Sequence, residues 1–307
     1  MRAAMIVNQP QRVTKRALVL SGGGGRGSYE VGVVKALFER GLDFELILGT
    51  SIGAINATLI AQGALDRLEE IWCTLRASDL FRLPSASQIG QFVLGHGLAL
   101  LDNAPLERLL WREVDLDRLR SGRVTVGWIT TDMCSLDTRV ITIDEIQTKQ
   151  ELIDVLMATS ALPFAFPPRH LNGGGLWVDG GLVRNTPMQA AIDRGVEEIY
   201  MVLLHAGHMH ACPTNIFQLL SRCVDLLLDA SARNAIQLAG EYNRMLEELS
   251  APARQIRIFQ FQPHKPVNAT LLDIDPVRAR QLIQQGYEEA VCQLEAVQWP
   301  DGCYEPG

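Results

Sequence analysis

A serine stands between two glycines in Gly49-Thr50-Ser51-Ile52-Gly53, a G-x-S-x-G arrangement. Glycines at those positions leave room for a sharp strand-to-helix turn that exposes the serine hydroxyl. The helix behind Ser51 points its unpaired N–H groups toward negative charge that develops during acyl transfer. Such a serine serves as a nucleophile toward an ester carbonyl, through an acyl-enzyme. In a chain with 26 glycines the pentapeptide also arises by chance, so its weight depends on its neighbours.

One neighbour is the run Gly22-Gly23-Gly24-Gly25-Arg26-Gly27, where successive backbone N–H groups can converge on an anion. A dinucleotide loop matches Gly22, Gly24 and Gly27, but it expects an acidic residue at the end of the next strand, and Asp43 and Glu45 lie at its start. A Walker-type phosphate loop needs a lysine after its last glycine, where Ser28 stands. An oxyanion hole fits better, since parallel neighbouring strands would bring this loop and Ser51 to one edge of a sheet. Asp179, followed by Gly180 and Gly181, closes a short apolar run and offers a carboxylate at that edge, although most aspartates before glycine are turn residues. His205, His208 and His210 are candidate bases for a conventional triad; their spacing also permits a surface metal site or no role.

The elements needed to position these groups follow from hydrophobic periodicity. Apolar runs predict strands at Ala17–Leu20, Phe44–Leu48, Val124–Thr130, Thr138–Ile143, Leu176–Val178, Glu198–Leu204 and Gln255–Phe261. Helical spacing predicts helices from Ser28 to Phe38, after Ser51 to Ile60, and over Leu65–Leu75, Leu106–Trp111, Gln150–Thr159, Pro187–Arg194, Ile216–Leu249 and Pro276–Gln293. Strands alternating with helices predict an α/β fold, a mostly parallel central sheet with helices on both faces. The looser segment Asp79–Asn103, with exposed-looking Phe81, Phe92, Val93 and Leu94, is either a lid over an apolar site or a surface loop and helix packed on the core.

Composition narrows the classes. Hydrophobic residues at 47% and charged residues at 21% suit a globular protein with a sizeable core rather than disorder. A formal charge of −7, without a local Lys/Arg run, argues against nucleic-acid binding. The 6 cysteines form no C-x-x-C pair, which suggests neither a zinc site nor a disulfide framework and fits reduced thiols in the cytoplasm. The start does not read as a secretory signal and no apolar run is long enough to span a membrane, so any meeting with a membrane is expected to be peripheral.

Taken together the motifs resemble those of patatin-like phospholipases of the bacterial type, lipid acyl hydrolases that work with a Ser-Asp dyad. The glycine loop, the elbow and the Asp179-Gly180-Gly181 motif occur in that family's order, and the stretches Ala158–Pro163, Phe166–Pro168 and Leu182–Pro187 are similar too. Family members often begin the glycine loop with aspartate, where this chain has Ser21. The resemblance is strong over about 16–204 and loose from Cys212 onward.

It implies a three-layer α/β/α architecture, with an extension over 1–15, a single domain over 16–307 and C-terminal helices and a late strand over 212–295. It implies Ser51 as nucleophile, Asp179 as base, N–H groups of Gly23 to Gly25 as oxyanion donors with that of Ile52 adding another, Arg26 holding the loop, and no metal or cofactor. The implied partner is a lipid acyl ester at a membrane or micelle surface, and the oligomeric state stays open. Since an ordinary aspartate titrates near 3.9, Asp179 would need an apolar surround to serve as a base. The competing readings are a Ser-His-Asp esterase and a non-catalytic module that binds phosphate or nucleotide on the glycine loop.

Overall fold

The computed structural model describes residues 15–171, 173–204, 212–214, 216–248, 255–264 and 271–296. Strand β1 (Arg16–Leu20) sends Ala17 and Val19 to one side and Leu18 and Leu20 to the other, all of them buried. A strand buried on both faces must lie inside a sheet covered by two layers. It leads through the glycine loop into α1 (Ser28–Glu39). Strand β2 (Leu46–Thr50) turns at Ser51 into α2 (Ile52–Ala61). Next come α3 (Leu65–Thr74), α4 (Ala86–Val93), α5 (Ala104–Glu113) and α6 (Leu116–Ser121), then β3 (Thr125–Asp132), β4 (Thr138–Thr142) and α7 (Lys149–Thr159). Strands β5 (Arg169–Leu171) and β6 (Gly174–Asp179), the short α8 (Gly181–Arg184), α9 (Met188–Ile192) and β7 (Glu198–Val202) follow. The long α10 (Ile216–Glu248), β8 (Arg257–Phe261) and α11 (Pro276–Ala296) complete the order.

Among the described residues the strands form one 8-stranded sheet in the order β5-β6-β3-β2-β1-β7-β8, with β4 also paired to β3. Strands β3, β2, β1, β7 and β8 run parallel, while β4 and β6 pair antiparallel with β3, and β5 pairs antiparallel with β6. On one face Leu18, Leu20 and Tyr200 pack with residues of α1, α2, α3, α5, α7 and α11. On the other, Ala17, Val19, Leu48 and Met201 meet Met188 and Ala191 of α9 and Ala232 of α10. This is the three-layer α/β/α arrangement with a mostly parallel sheet that the alternating pattern predicts.

Three details differ from the sequence reading. Strand β6, which carries Asp179, runs antiparallel to β3, with Thr130 opposite Asp179; a three-residue apolar run carries no information about direction. The segment 79–103 contains α4, which is capped by Ser85 and Gln88 and buries none of its residues, so this helix does not pack into the core. Phe81, expected to be exposed, is buried and meets Phe166 with ring centroids 5.8 Å apart. The segment returns along the 164–165 turn, where Leu100 and Leu101 N–H donate to the carbonyls of Phe164 and Ala165. His205, His208, His210 and residues 1–14 lie outside the described residues.

Candidate active site

Ser51 occupies the apex between β2 and α2 with φ 57° and ψ −126°. Positive φ in a non-glycine residue costs on the order of 1–3 kcal/mol and persists only where surrounding contacts impose it. Those contacts are specific. The Ser51 N–H donates to Thr159 Oγ1 at 3.1 Å, and the Thr159 hydroxyl donates to the Ile129 carbonyl at 2.6 Å. Thr50 Oγ1 donates to the Arg184 carbonyl at 3.2 Å, tying the elbow to α8. The Ser51 carbonyl accepts from Ala54 N–H at 3.0 Å and so starts α2. Gly49 and Gly53 flank the turn as the pattern requires, and the N–H of Ile52, at the first residue of α2, has no intrahelical acceptor.

Asp179 ends β6. Strand β3 pairs Ile129 with Thr50 and Thr130 with Asp179, which places the aspartate level with the elbow. Its N–H donates to the Ala161 carbonyl at 3.1 Å, and Oδ1 accepts from Gly181 N–H at 2.7 Å. The residue is 3% exposed. Burial pushes its carboxyl up to about 6, against the opposing pull of the Ser51 side chain and the Gly181 N–H beside it. Gly180 and Gly181 therefore serve the turn that anchors this carboxylate.

The glycine loop leaves β1 next to β2, with Leu20 opposite Gly49. Buried Asn185 grips Gly22 at two points, accepting from its N–H at 2.8 Å and donating to its carbonyl at 3.2 Å. The Asn185 N–H is held by Ser231 Oγ of α10 at 3.0 Å. At the far end of the loop, Asn56 Nδ2 donates to the Gly27 carbonyl at 2.9 Å and to Glu30 at 2.8 Å, while Trp72 Nε1 donates to Asn56 at 3.1 Å. Burial holds the Glu30 carboxyl well above the usual range. Arg26 is buried within the loop, its N–H donating to the Gly23 carbonyl at 3.3 Å. The Gly25 N–H is committed to the Leu271 carbonyl at 3.0 Å. Of the other two donors expected from the sequence, Gly23 N–H and Gly24 N–H, neither is paired with a backbone acceptor among the described residues.

Gly22, Gly23, Gly24, Ser51, Asp179 and Gly181 meet around a narrow pocket that opens to solvent. Its remaining wall includes Ser160, Leu162, Phe166, Leu182, Leu228, Leu271 and Leu272. No residue of 79–103 is among those that line it. Sequence reasoning missed Thr159 and Asn185 as individual contributors, although both lie in stretches that resemble the patatin-like family. It missed Leu228, Ser231 and Leu271 altogether, because nothing local in α10 or near 271 points to a site so far away in sequence.

Comparison with known proteins bears on the family of the chain. The family profile described as patatin-like phospholipase matches residues 18–192, and a domain of unknown function (DUF6363) matches residues 234–298. An uncharacterized protein of Escherichia coli, YjjU, is 25% identical over 270 residues, covering 86% of this chain and 72% of that protein. A lysophospholipase of Kluyveromyces lactis, NTE1, is 27% identical over 192 residues, covering 60% of this chain. An uncharacterized NTE family protein of Mycobacterium bovis is 29% identical over 177 residues, covering 56% of this chain. The chain spans only 12% of the Kluyveromyces lactis protein and 44% of the mycobacterial one. With the profile covering β1 through α9, and so the glycine loop, the elbow and Asp179, the chain belongs to the patatin-like phospholipase family.

Proposed function

We propose that this protein hydrolyses fatty acyl esters of lipids, with Ser51 as nucleophile and Asp179 as general base. The observation that carries the reading is a buried carboxyl, raised to about 6, beside a serine hydroxyl held at a strained elbow over an apolar pocket. Asp179 accepts the hydroxyl proton as Ser51 Oγ bonds to the acyl carbon. The carbonyl oxygen becomes an oxyanion in reach of the Gly23 and Gly24 N–H groups, with that of Ile52 adding to the field. Protonated Asp179 then gives its proton to the departing alcohol as the old ester bond breaks. Water repeats the sequence on the acyl-enzyme, releasing the fatty acid and free Ser51.

A lipid at an interface fits the surroundings. Residues 83–101 contain no Asp, Glu, Lys or Arg, and Val93, Leu94, Leu98 and Phe164 stand exposed. The lysophospholipase name of the yeast relative supports the same substrate class. Among the described residues no helix is long and apolar enough to cross a membrane.

Labelling with a serine-reactive phosphonate, followed by peptide mapping, tests the reading. Label is expected on Ser51 in the parent and lost by orders of magnitude in rate in Asp179→Asn; label on another residue, or full reactivity of the variant, would overturn it.

A further inference from the structure

The apolar pocket is not built by the family-matched region alone. Leu271 and Leu272 line it together with Leu162, Phe166, Leu182 and Leu228. Those two residues fall in the stretch 234–298 matched to a domain of unknown function, outside the patatin-like match over 18–192. The contact is intimate. Leu271 takes the Gly25 N–H, and a Cβ placed on Gly24 would fall 1.9 Å from the Leu271 carbonyl oxygen. Gly24 also has φ +57°, so a bare residue is required there twice over.

The strap is anchored rather than draped. Asp273 pairs with Arg278 at the start of α11. Asp275 Oδ1 accepts the Arg278 N–H at 2.8 Å, capping that helix. Helix α11 in turn packs against α1, which continues from the glycine loop. A wall fixed at both the loop and a core helix holds its shape when a flexible chain enters.

We infer that the C-terminal stretch around Leu271 and Leu272 forms part of the acyl-chain subsite, so that Leu272 helps to set which chain lengths are accepted. This rests on the hydrolase reading of Ser51. The lining side chains beyond the serine and aspartate are almost wholly apolar, which suits an alkyl chain and not a head group. Leu272 is 38% exposed, so its substitution is tolerable to the fold.

The test compares kcat/KM for hexadecanoyl and butanoyl p-nitrophenyl esters in the parent, Leu272→Trp, Leu272→Gln and Val277→Trp. Trp fills the subsite and Gln makes its wall polar, and both are expected to lower the long-to-short ratio by about tenfold or more, the scale on which small changes in an apolar pocket discriminate. Val277 of α11 is exposed and lines no part of the pocket, and Val277→Trp is expected to keep the parental ratio. Displacement of a fluorescent long-chain fatty acid gives a second readout that needs no turnover and is expected to weaken in both Leu272 variants. Parental ratios and parental fatty-acid affinity in both Leu272 variants would overturn the inference. A parent that hydrolyses no ester and takes no label at Ser51 would instead overturn the hydrolase reading, while fatty-acid displacement would still report on the wall.

Discussion

Asp179 carries two properties that pull against each other. Its burial disfavours the charged form, yet a base must be charged to act, and the compromise is a carboxyl raised from 3.8 to about 6. We expect kcat/KM for a neutral ester to rise with pH through about 6 and to level off above it, as the carboxylate becomes populated; a profile flat across that range would exclude Asp179 as the titrating base. The same shift has a consequence for stability. The neutral buried carboxyl stabilises the fold fully below the unfolded value of 3.8, and that contribution is lost as pH rises through about 6. Asp179→Asn, neutral at every pH, should therefore gain melting temperature relative to the parent between about pH 4 and about pH 8. Scanning calorimetry at the two values checks this independently of activity. The sequence marked Asp179 through its D-G-G setting, whereas the burial that makes it useful depends on β6, α7 and α10 closing around it.

At the scale of elements, the elbow is held from outside its own strand and helix. The end of α7 supplies Thr159, fully buried, whose hydroxyl accepts from Ser51 N–H and donates to the β3 carbonyl of Ile129. Thr159→Val keeps the shape and removes both bonds, taking from the part-buried Ser51 N–H its hydroxyl partner at a cost of about 1–3 kcal/mol. We expect kcat to fall by about tenfold or more while KM changes little, because the pocket wall is untouched and the nucleophile is misplaced. Thr159→Ser, which keeps the hydroxyl, should recover most of the loss; steady-state kinetics on the three proteins decide the matter. The strand, glycine loop and helix units were legible in the sequence because apolar runs and glycines are local signals. The antiparallel direction of β6 was not, since direction is fixed by pairing with Thr130, Thr131 and Asp132 and leaves no trace in the run itself.

Across the whole molecule, the C-terminal region is built into the same core as the motif-bearing part. Strand β8 extends the sheet beside β7, and α11 lies against α1 with backbones nearly touching. A Cβ on Gly286 would fall 2.3 Å from the Tyr29 carbonyl oxygen, and Tyr29 Oη donates to Glu289 at 2.8 Å. Since α1 continues from the glycine loop, separating the two helices would disturb the loop as well as the core. Gly286→Val is expected to lower unfolding stability in urea by about 1–3 kcal/mol or more, the usual cost of overpacking. An unchanged midpoint would show that the close helix contact contributes little.

The sequence by itself determined the α/β alternation, the mostly parallel sheet and the three motifs from which a serine, an aspartate and an anion-binding loop were read. These are properties of short segments, where residue type and spacing dictate conformation. Only the tertiary structure decided that Asp179 arrives on an antiparallel strand, that Asn185 grips Gly22, and that Leu271 takes the Gly25 N–H and walls the pocket. Each of these joins residues distant along the chain, and such contacts depend on how packed layers bring segments together rather than on what any segment prefers alone.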